Sequence, residues 1–436
     1  MLRVIPRHRT KHGGSSSGPT GPYYGWILAA ALGVTTAVSY GILYYGFSVF
    51  VMPMGEDLGW SRSQVTGAFS AALLVGGVAG IPVGRWVDQH GARGVMTVGS
   101  ILAAAGLLLW SRATSLPGFY GTFLLIGLAM SGVFYEPAFT VMANWFARSR
   151  ARALAVLTVL GGCASLIFLP LITHLVGSLG WRQALVWLAV LLGAITIPLH
   201  ALLIRRRPED LGLRLDGGLD DPAERPPGQH KPQEVPSREA FRSRSFFFVA
   251  AAFGCSALVR TGVAVHFIPL LLERGHSPDQ AGLAMGLVGF MALPGRLALV
   301  PLGDRWSVGS VGVGMFAIQV LGIGLLATMA SPVGVWLFVV LYGLGQGAVT
   351  PVRAGIQAEL FGRASYGTIG GGLGLVMALA RAAAPIGVSA LYTAGGGYEG
   401  VLWALLVVVA GSTLALRAAG SHRTETRLPE KEANRP

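Results

Sequence analysis

Twelve stretches of this chain stay apolar for the length a bilayer demands, and that recurrence limits the fold more than any single motif does. They cover residues 24–51, 64–87, 94–112, 117–142, 153–176, 183–204, 246–272, 280–302, 308–329, 332–358, 367–393 and 398–416. About 20 apolar residues span the hydrocarbon core as a helix. In lipid only helices and closed barrels satisfy every backbone polar group. Twelve such runs predict an all-α integral membrane protein. Composition agrees where it can decide: 12% of residues are charged, against about 25% in a soluble domain.

A formal net charge of +13 would suit a nucleic-acid binder, but the placement of the charges argues otherwise. Of the 33 Lys and Arg residues, 25 fall on the side of the runs that holds both termini, four fall in loops on the other side, and four lie inside the runs. Excess Lys and Arg in short loops marks the cytoplasmic face. Both termini are therefore expected in the cytoplasm, with the lipid bilayer and not nucleic acid as the large partner. The expected location is the inner or plasma membrane, crossed many times.

The polar, proline-bearing interval 205–244 reads as a cytoplasmic linker with little fixed structure, since it buries too little apolar surface to fold. It divides the chain into a tail (1–22), a six-helix half (23–204), the linker, a second six-helix half (245–418) and a C-terminal tail (419–436). An internal repeat supports the division. The fourth run reads GLAMSGVFYEPAFTVMANWF and the tenth GLGQGAVTPVRAGIQAELF, with Pro137 and Pro351 in similar places. Six-helix halves related in this way are a transporter architecture, with the substrate site between them near the midplane.

Several classes lack their chemistry here. Cys163 and Cys255 lie in apolar runs and offer no disulfide framework or metal spacing. No P-loop is present, and the nine histidines form no cluster. Neither a cofactor nor a metal is expected, and the chain does not read as an enzyme. A membrane sensor without transport activity is the rival from another class, although the tails and linker look too short for an added soluble domain.

The four arginines inside the runs are Arg260, Arg296, Arg353 and Arg381. A guanidinium keeps its charge in proteins. In a membrane it faces a partner or a water-filled space. Arg296 reads as the main anchor for a substrate carboxylate, because one guanidinium can grip a carboxylate with two charge-assisted bonds. The alternative is a structural cation paired with helix carbonyls. Arg381, central in the eleventh run, is a second anion contact or else a snorkelling residue. Glu136 and Arg353 lie at similar depth in opposite halves. They form a gate across the halves, or Glu136 is a protonatable coupling group. Arg260 and His266 are grouped with them as coupling candidates. Tyr40, Tyr44, Tyr45 and Tyr135 supply hydroxyls and ring walls, or pack as an aromatic belt. The glycines 367, 370, 371, 372 and 374 allow close helix approach.

GRWVDQHGAR, residues 84–93, resembles the signature loop of the major facilitator superfamily in its Gly84, Asp88, Gly91 and Arg93. PLGDRW in the second half keeps Asp304 and Arg305 but has Val300 where the first glycine would fall. Neither loop is expected to touch substrate. WFARSRARALAVLTVLGG and ELFGRASYGTIGG are similar to helix junctions of monocarboxylate-porter-like members and their bacterial relatives. The resemblance implies two six-helix halves and transport of a small organic anion. It places Tyr44 where animal members carry a lysine and Ala292 where they carry an aspartate, so the family's usual coupling pair is missing. An oxalate/formate-antiporter-like branch uses cations on the eighth and eleventh helices, which here would be Arg296 and Arg381. The leading reading is a secondary transporter of a small carboxylate, with proton symport and anion exchange both open. A drug or metabolite exporter on the same fold would be expected to carry buried acids instead.

Overall fold

The structure, a computed structural model, describes residues 23–217, 234–303 and 305–425. Twelve helices have the length and apolar character to cross a membrane: α1 Tyr24–Leu58, α2 Ser63–His90, α3 Ala92–Ser111, α4 Leu116–Trp145, α5 Arg150–Leu179, α6 Trp181–Leu203, α7 Arg244–Glu273, α8 Asp279–Gly303, α9 Val308–Thr328, α10 Pro332–Phe361, α11 Tyr366–Gly395 and α12 Tyr398–Gly420. No strand occurs among the described residues. The 53% apolar content leaves many large side chains exposed on the outside of the bundle, among them Ile386, Val407 and Leu414, as a lipid-facing surface requires.

Three helices of the first half are broken. α1 passes through a π-helical segment, Tyr40–Tyr45, where Gly46 N donates to Gly41 O at 2.8 Å. α4 breaks at Phe134, whose backbone is extended. The cause is Pro137, which lacks an N–H and whose ring clashes with the carbonyl four residues back, at Val133. α5 breaks at Cys163, directly after Gly161 and Gly162. The repeat is not symmetric in this respect: α10 carries Pro351 and remains one helix.

Helices α1–α6 pack around one another, and so do α7–α12, with apolar cores inside each group. The groups meet mainly through α2 with α11, α5 with α8 and α10, and α4 with α11. In the broken helices only the segments Tyr135–Trp145 of α4 and Arg150–Gly162 of α5 make these substantial contacts. Both segments lie on the face to which the described chain ends and the 205–244 interval belong, called here the terminal face. The groups are thus joined along that face.

Two expectations need correction. Gly84 and Asp88 do not sit in a loop: α2 continues through His90, and only Gly91, at φ +84, turns the chain into α3. The helix runs past its apolar stretch because its last turns pack on α11 and gain protection there. The 205–244 interval is also structured at both described ends. Asp216 accepts backbone N–H bonds from Ala147, Arg148 and Ser149 at 2.9, 2.9 and 3.0 Å. Glu234 accepts from Arg363 and Ala364 at 2.8 and 2.6 Å. Tyr23, bonded to Trp145 O at 3.0 Å, lies beside the first clasp, and burial together with the Asp216 charge raises its phenol above the usual range. Asp304 and the tail 1–22 lie outside the described residues, as does much of the C-terminal tail.

Candidate functional site

On the terminal face, α2 and α11 approach backbone to backbone. Gly84 lies against the carbonyl of Gly367, Gly371 against that of Gly80, and Gly77 against Leu375 and Ala378. A Cβ at Gly84 or Gly371 would overlap main chain, which cannot give way as a flexible side chain can. One turn beyond Gly84, Asp88 reaches the start of α11. Its carboxylate accepts from Gly367 N at 2.7 Å, Thr368 N at 2.8 Å and Thr368 Oγ1 at 2.7 Å. Orphan N–H groups and the positive end of a helix make such a terminus a good carboxylate site. Arg206 donates to Asp88 O at 3.1 Å, and its side chain packs over Gly91. Arg93 and Arg305 are exposed at their turns.

Above this seam Glu136 and Arg353 form a two-pronged ion pair across the halves, with Nη1 to Oε2 at 3.1 Å and Nη2 to Oε1 at 2.7 Å. Arg353 is buried, whereas Glu136 keeps about a quarter of its side chain exposed (26%). Glu136 is in the first turn after the α4 break, so the kink aims it at the other half. The Arg353 guanidinium also stands 5.6 Å over the Phe139 ring. Gly370 of α11 leaves room for the pair, since a Cβ there would be 3.1 Å from Glu136 Oε2.

Arg296 crosses between the halves at the α5 break. Its Nη1 donates to Thr158 O at 3.1 Å, and its guanidinium occupies the space above Gly162, where any side chain would collide with it. Its Nε is buried and has no partner. One arm is therefore held by a helix carbonyl while hydrogen-bonding capacity remains unspent. Within the second half α8 packs closely on α10, through Gly295 against Leu344 and Gly347 against Ala292, and α8 meets α5 at Gly303, where a Cβ would lie 3.3 Å from that of Ala151.

Arg381 and Arg260 lie nearer the middle of their helices. Neither has a hydrogen bond or ion pair among the described residues, and Arg381 Nε is buried without a partner. The Arg381 charge is felt together with those of Arg260 and Arg353 and beside the hydroxyls of Tyr44 and Tyr40. Tyr135 lies in the fields of both Arg296 and Arg260. The first half thus presents an aromatic wall to these cations. Tyr40 stacks on Phe134 at 3.9 Å and meets Tyr135 at 5.0 Å and Tyr44 at 5.9 Å. Gln346 Oε1 and Tyr342 Oη on α10 are further buried polar atoms without partners. His266 stands apart from this group: it bonds Tyr398 Oη at 3.1 Å and borders a small space within the second half lined by Phe267, Phe338 and Leu405.

Sequence reasoning did not single out Thr158, Gly162, Phe134 or Thr368. The first and third act through a carbonyl and a stacked ring, which leave no pattern. A Gly-Gly pair ahead of a break was the one available signal for Gly162. Among the described residues no group of three or more His, Cys, Asp or Glu side chains could hold a metal ion.

The sequence model of the Major Facilitator Superfamily matches residues 32–385 and again residues 252–436. Human monocarboxylate transporter 11 is 32% identical over 396 residues, covering 86% of this chain and 78% of that protein. Bovine monocarboxylate transporter 13 is 28% identical over 359 residues, covering 81% and 78%. Among solved structures, the E. coli fucose:proton symporter superposes with a TM-score of 0.69 at 14% identity, over 90% of this chain and 98% of that one. The human organic anion transporter MFSD10 gives 0.67 at 16% identity, over 91% and 100%.

Proposed function

The chain belongs to the major facilitator superfamily of membrane transporters, and from that premise we propose that it is a secondary transporter of a small carboxylate anion. The observation that carries this reading is Arg296, a permanent cation between the halves with one arm on Thr158 O and a buried, unpartnered Nε. An arriving carboxylate offers this guanidinium charge-assisted bonds, roughly twice as strong as neutral ones. It thereby competes with the Thr158 carbonyl for a group that links α8 to α5.

The mechanism follows from where the halves are joined. The excess of Lys and Arg supports the terminal face as cytoplasmic, so the described state is sealed toward the cytoplasm. Three devices make the seal: the glycine contacts of α2 and α11, the Asp88 carboxylate on the start of α11, and the Glu136–Arg353 pair. Opening to the cytoplasm must separate all three. Substrate on Arg296 offsets part of that cost by replacing the Thr158 bond. Glu136 is the one acid near the middle of any span. Its protonation would release Arg353, and this is the route by which a proton gradient would drive transport. The related monocarboxylate transporters favour a carboxylate over the fucose of the structural neighbour, whose likeness extends to the fold alone. The cell membrane is the site of action this reading implies.

The test is uptake of labelled lactate, pyruvate, oxalate and formate into proteoliposomes holding the full chain, with and without a pH gradient. At least one carboxylate is expected to enter. Arg296→Ala is expected to lower its uptake about 10- to 100-fold, as loss of a charged hydrogen bond does. Full uptake of every carboxylate by both Arg296→Ala and Arg296→Lys would remove Arg296 from the site.

A further inference from the structure

We propose that Gln346 is a positioning residue for Arg296: its Oε1 takes over the guanidinium when the halves part on the cytoplasmic side, and so displaces the carboxylate there. The proposal rests on the carboxylate reading above and adds to it a residue and a side of release.

Two buried polar atoms carry the argument. Among the described residues, Arg296 Nε is a donor without a partner and Gln346 Oε1 is an acceptor without one. Each costs free energy while its bond is unmade. α8 itself offers Arg296 no acid, since the position one turn earlier is Ala292. Glu136 is held by Arg353.

Helix register brings the two residues to one level. α8 and α10 both run toward the terminal face, with Gly295 against Leu344 and Gly347 against Ala292. In that register Arg296 stands level with Ala348, so Gln346 is about two residues away, or ~3 Å along the axis at 1.5 Å per residue.

The two also project to one side. Arg296 follows Gly295 and Gln346 precedes Gly347, so each is turned about 100° from the contact between the helices. One residue after the contact on one helix and one residue before it on a parallel neighbour point to the same side of the pair. That side faces the first half. Arg296 leaves α8 there to meet Thr158 O. Gln346 lies about two turns before Arg353 on the same face of α10, and Arg353 reaches Glu136 of the first half from that face.

The handover follows from which contacts survive opening. In the described state Arg296 Nη1 is drawn across to Thr158 O, and Gln346 is left over. Opening toward the cytoplasm moves α5 away from α8 and breaks that bond. Gln346 stays, because α8 and α10 belong to one half and pack through their glycines. A carboxylate on Arg296 therefore competes with Thr158 O while the protein is sealed and with Gln346 Oε1 once it is open. The amide carries no charge, so it displaces a departing carboxylate without gripping the cation as an acid would. The empty carrier then returns with Arg296 still aimed between the halves.

The experiment measures KM from each side, in right-side-out and inverted membrane vesicles holding the full chain, without a pH gradient. The probes are labelled lactate, pyruvate, oxalate and formate, and vesicles lacking the chain are the blank. Gln346→Met keeps the side-chain length and removes the acceptor. For a carboxylate that enters, it is expected to lower the KM on the cytoplasmic side about tenfold, the factor one hydrogen bond to a charged group provides. The KM on the other side should stay within about twofold of wild type. Gln346→Glu, which holds the cation more firmly, should raise the cytoplasmic-side KM instead. Gln346→Met should also leave the ligand-free melting temperature unchanged or raise it by a few degrees, whereas loss of a structural hydrogen bond lowers it. An equal change on both sides, no change on either, or a rise on the cytoplasmic side with Gln346→Met would each overturn the handover while the carboxylate reading stands. If wild-type vesicles take up none of the four carboxylates above the blank, the carboxylate reading falls and the handover with it.

Discussion

Arg353 and Arg381 lie on neighbouring helices of the same half, and the molecule treats their charges in opposite ways. Arg353 is gripped by both oxygens of Glu136 from the other half, while Arg381 has no partner among the described residues. A buried pair roughly balances its desolvation cost, so it specifies an arrangement more than it stabilises one. An unpaired cation in the same setting costs free energy until something arrives. The contrast separates the seam, where groups from the two halves meet each other, from the proposed site above it, where Arg381 has no partner among the described residues.

The largest expected effect comes from the seam's backbone contacts. Gly84→Leu puts a side chain into the Gly367 carbonyl, where overpacking should cost ~3 kcal/mol or more. That would lower the population of the sealed state about 100-fold. Uptake should fall to background, while a substrate-induced rise in melting temperature survives because the arginines are untouched. Normal uptake by this variant would mean that the seam need not form during transport, and the contrast with the site would collapse.

Next in size is the pair itself. Glu136→Gln leaves Arg353 buried with half a partner. Breaking a buried pair costs about 3–5 kcal/mol, and the partial exposure of Glu136 puts this case near the lower figure. Adding Arg353→Gln should recover most of that loss in thermal unfolding, because two neutral amides can satisfy each other. If the double variant is as unstable as the sum of the singles, the residues act independently and the seam is held by glycines and Asp88 alone.

What was legible in the sequence divides along the same line. Helix number and fold class follow from run length alone, since lipid leaves the backbone no other option. The cations at Arg296 and Arg381 were visible because charge inside an apolar run is conspicuous. Their partners were not, because contact between helices depends on rotation and crossing, which a linear pattern does not encode. Glu136 and Arg353 could be put at similar depth, yet only the kink at Phe134 decides where Glu136 points. Thr158 acts through its carbonyl, a group every residue carries. Pro137 and Pro351 hold similar places in the sequence repeat, yet in the structure Pro137 breaks its helix while Pro351 does not. The 205–244 interval reads in sequence as a linker with little fixed structure because capping by one carboxylate leaves no periodic signal.

The smallest expected effect tests whether the seam is supported from outside the membrane. Asp216 caps the turn between α4 and α5, and Glu234 caps the turn between α10 and α11, which are the corresponding turns of the two halves. Asp216 takes three backbone N–H groups and holds a left-handed φ of +54 to do so, whereas Glu234 takes two. Loss of a capping side chain costs ~0.5–2 kcal/mol, so Asp216→Ala should cost about 1.5 kcal/mol and Glu234→Ala about 1 kcal/mol in thermal unfolding. The two caps lie in different halves and share no partner, so their effects should add within about 0.5 kcal/mol. A double variant clearly less or more stable than that sum would mean that the two clasps are coupled. Each clasp would then serve the joint between the halves, and the boundary drawn between the seam and its surroundings would move outward to include the interval that connects them.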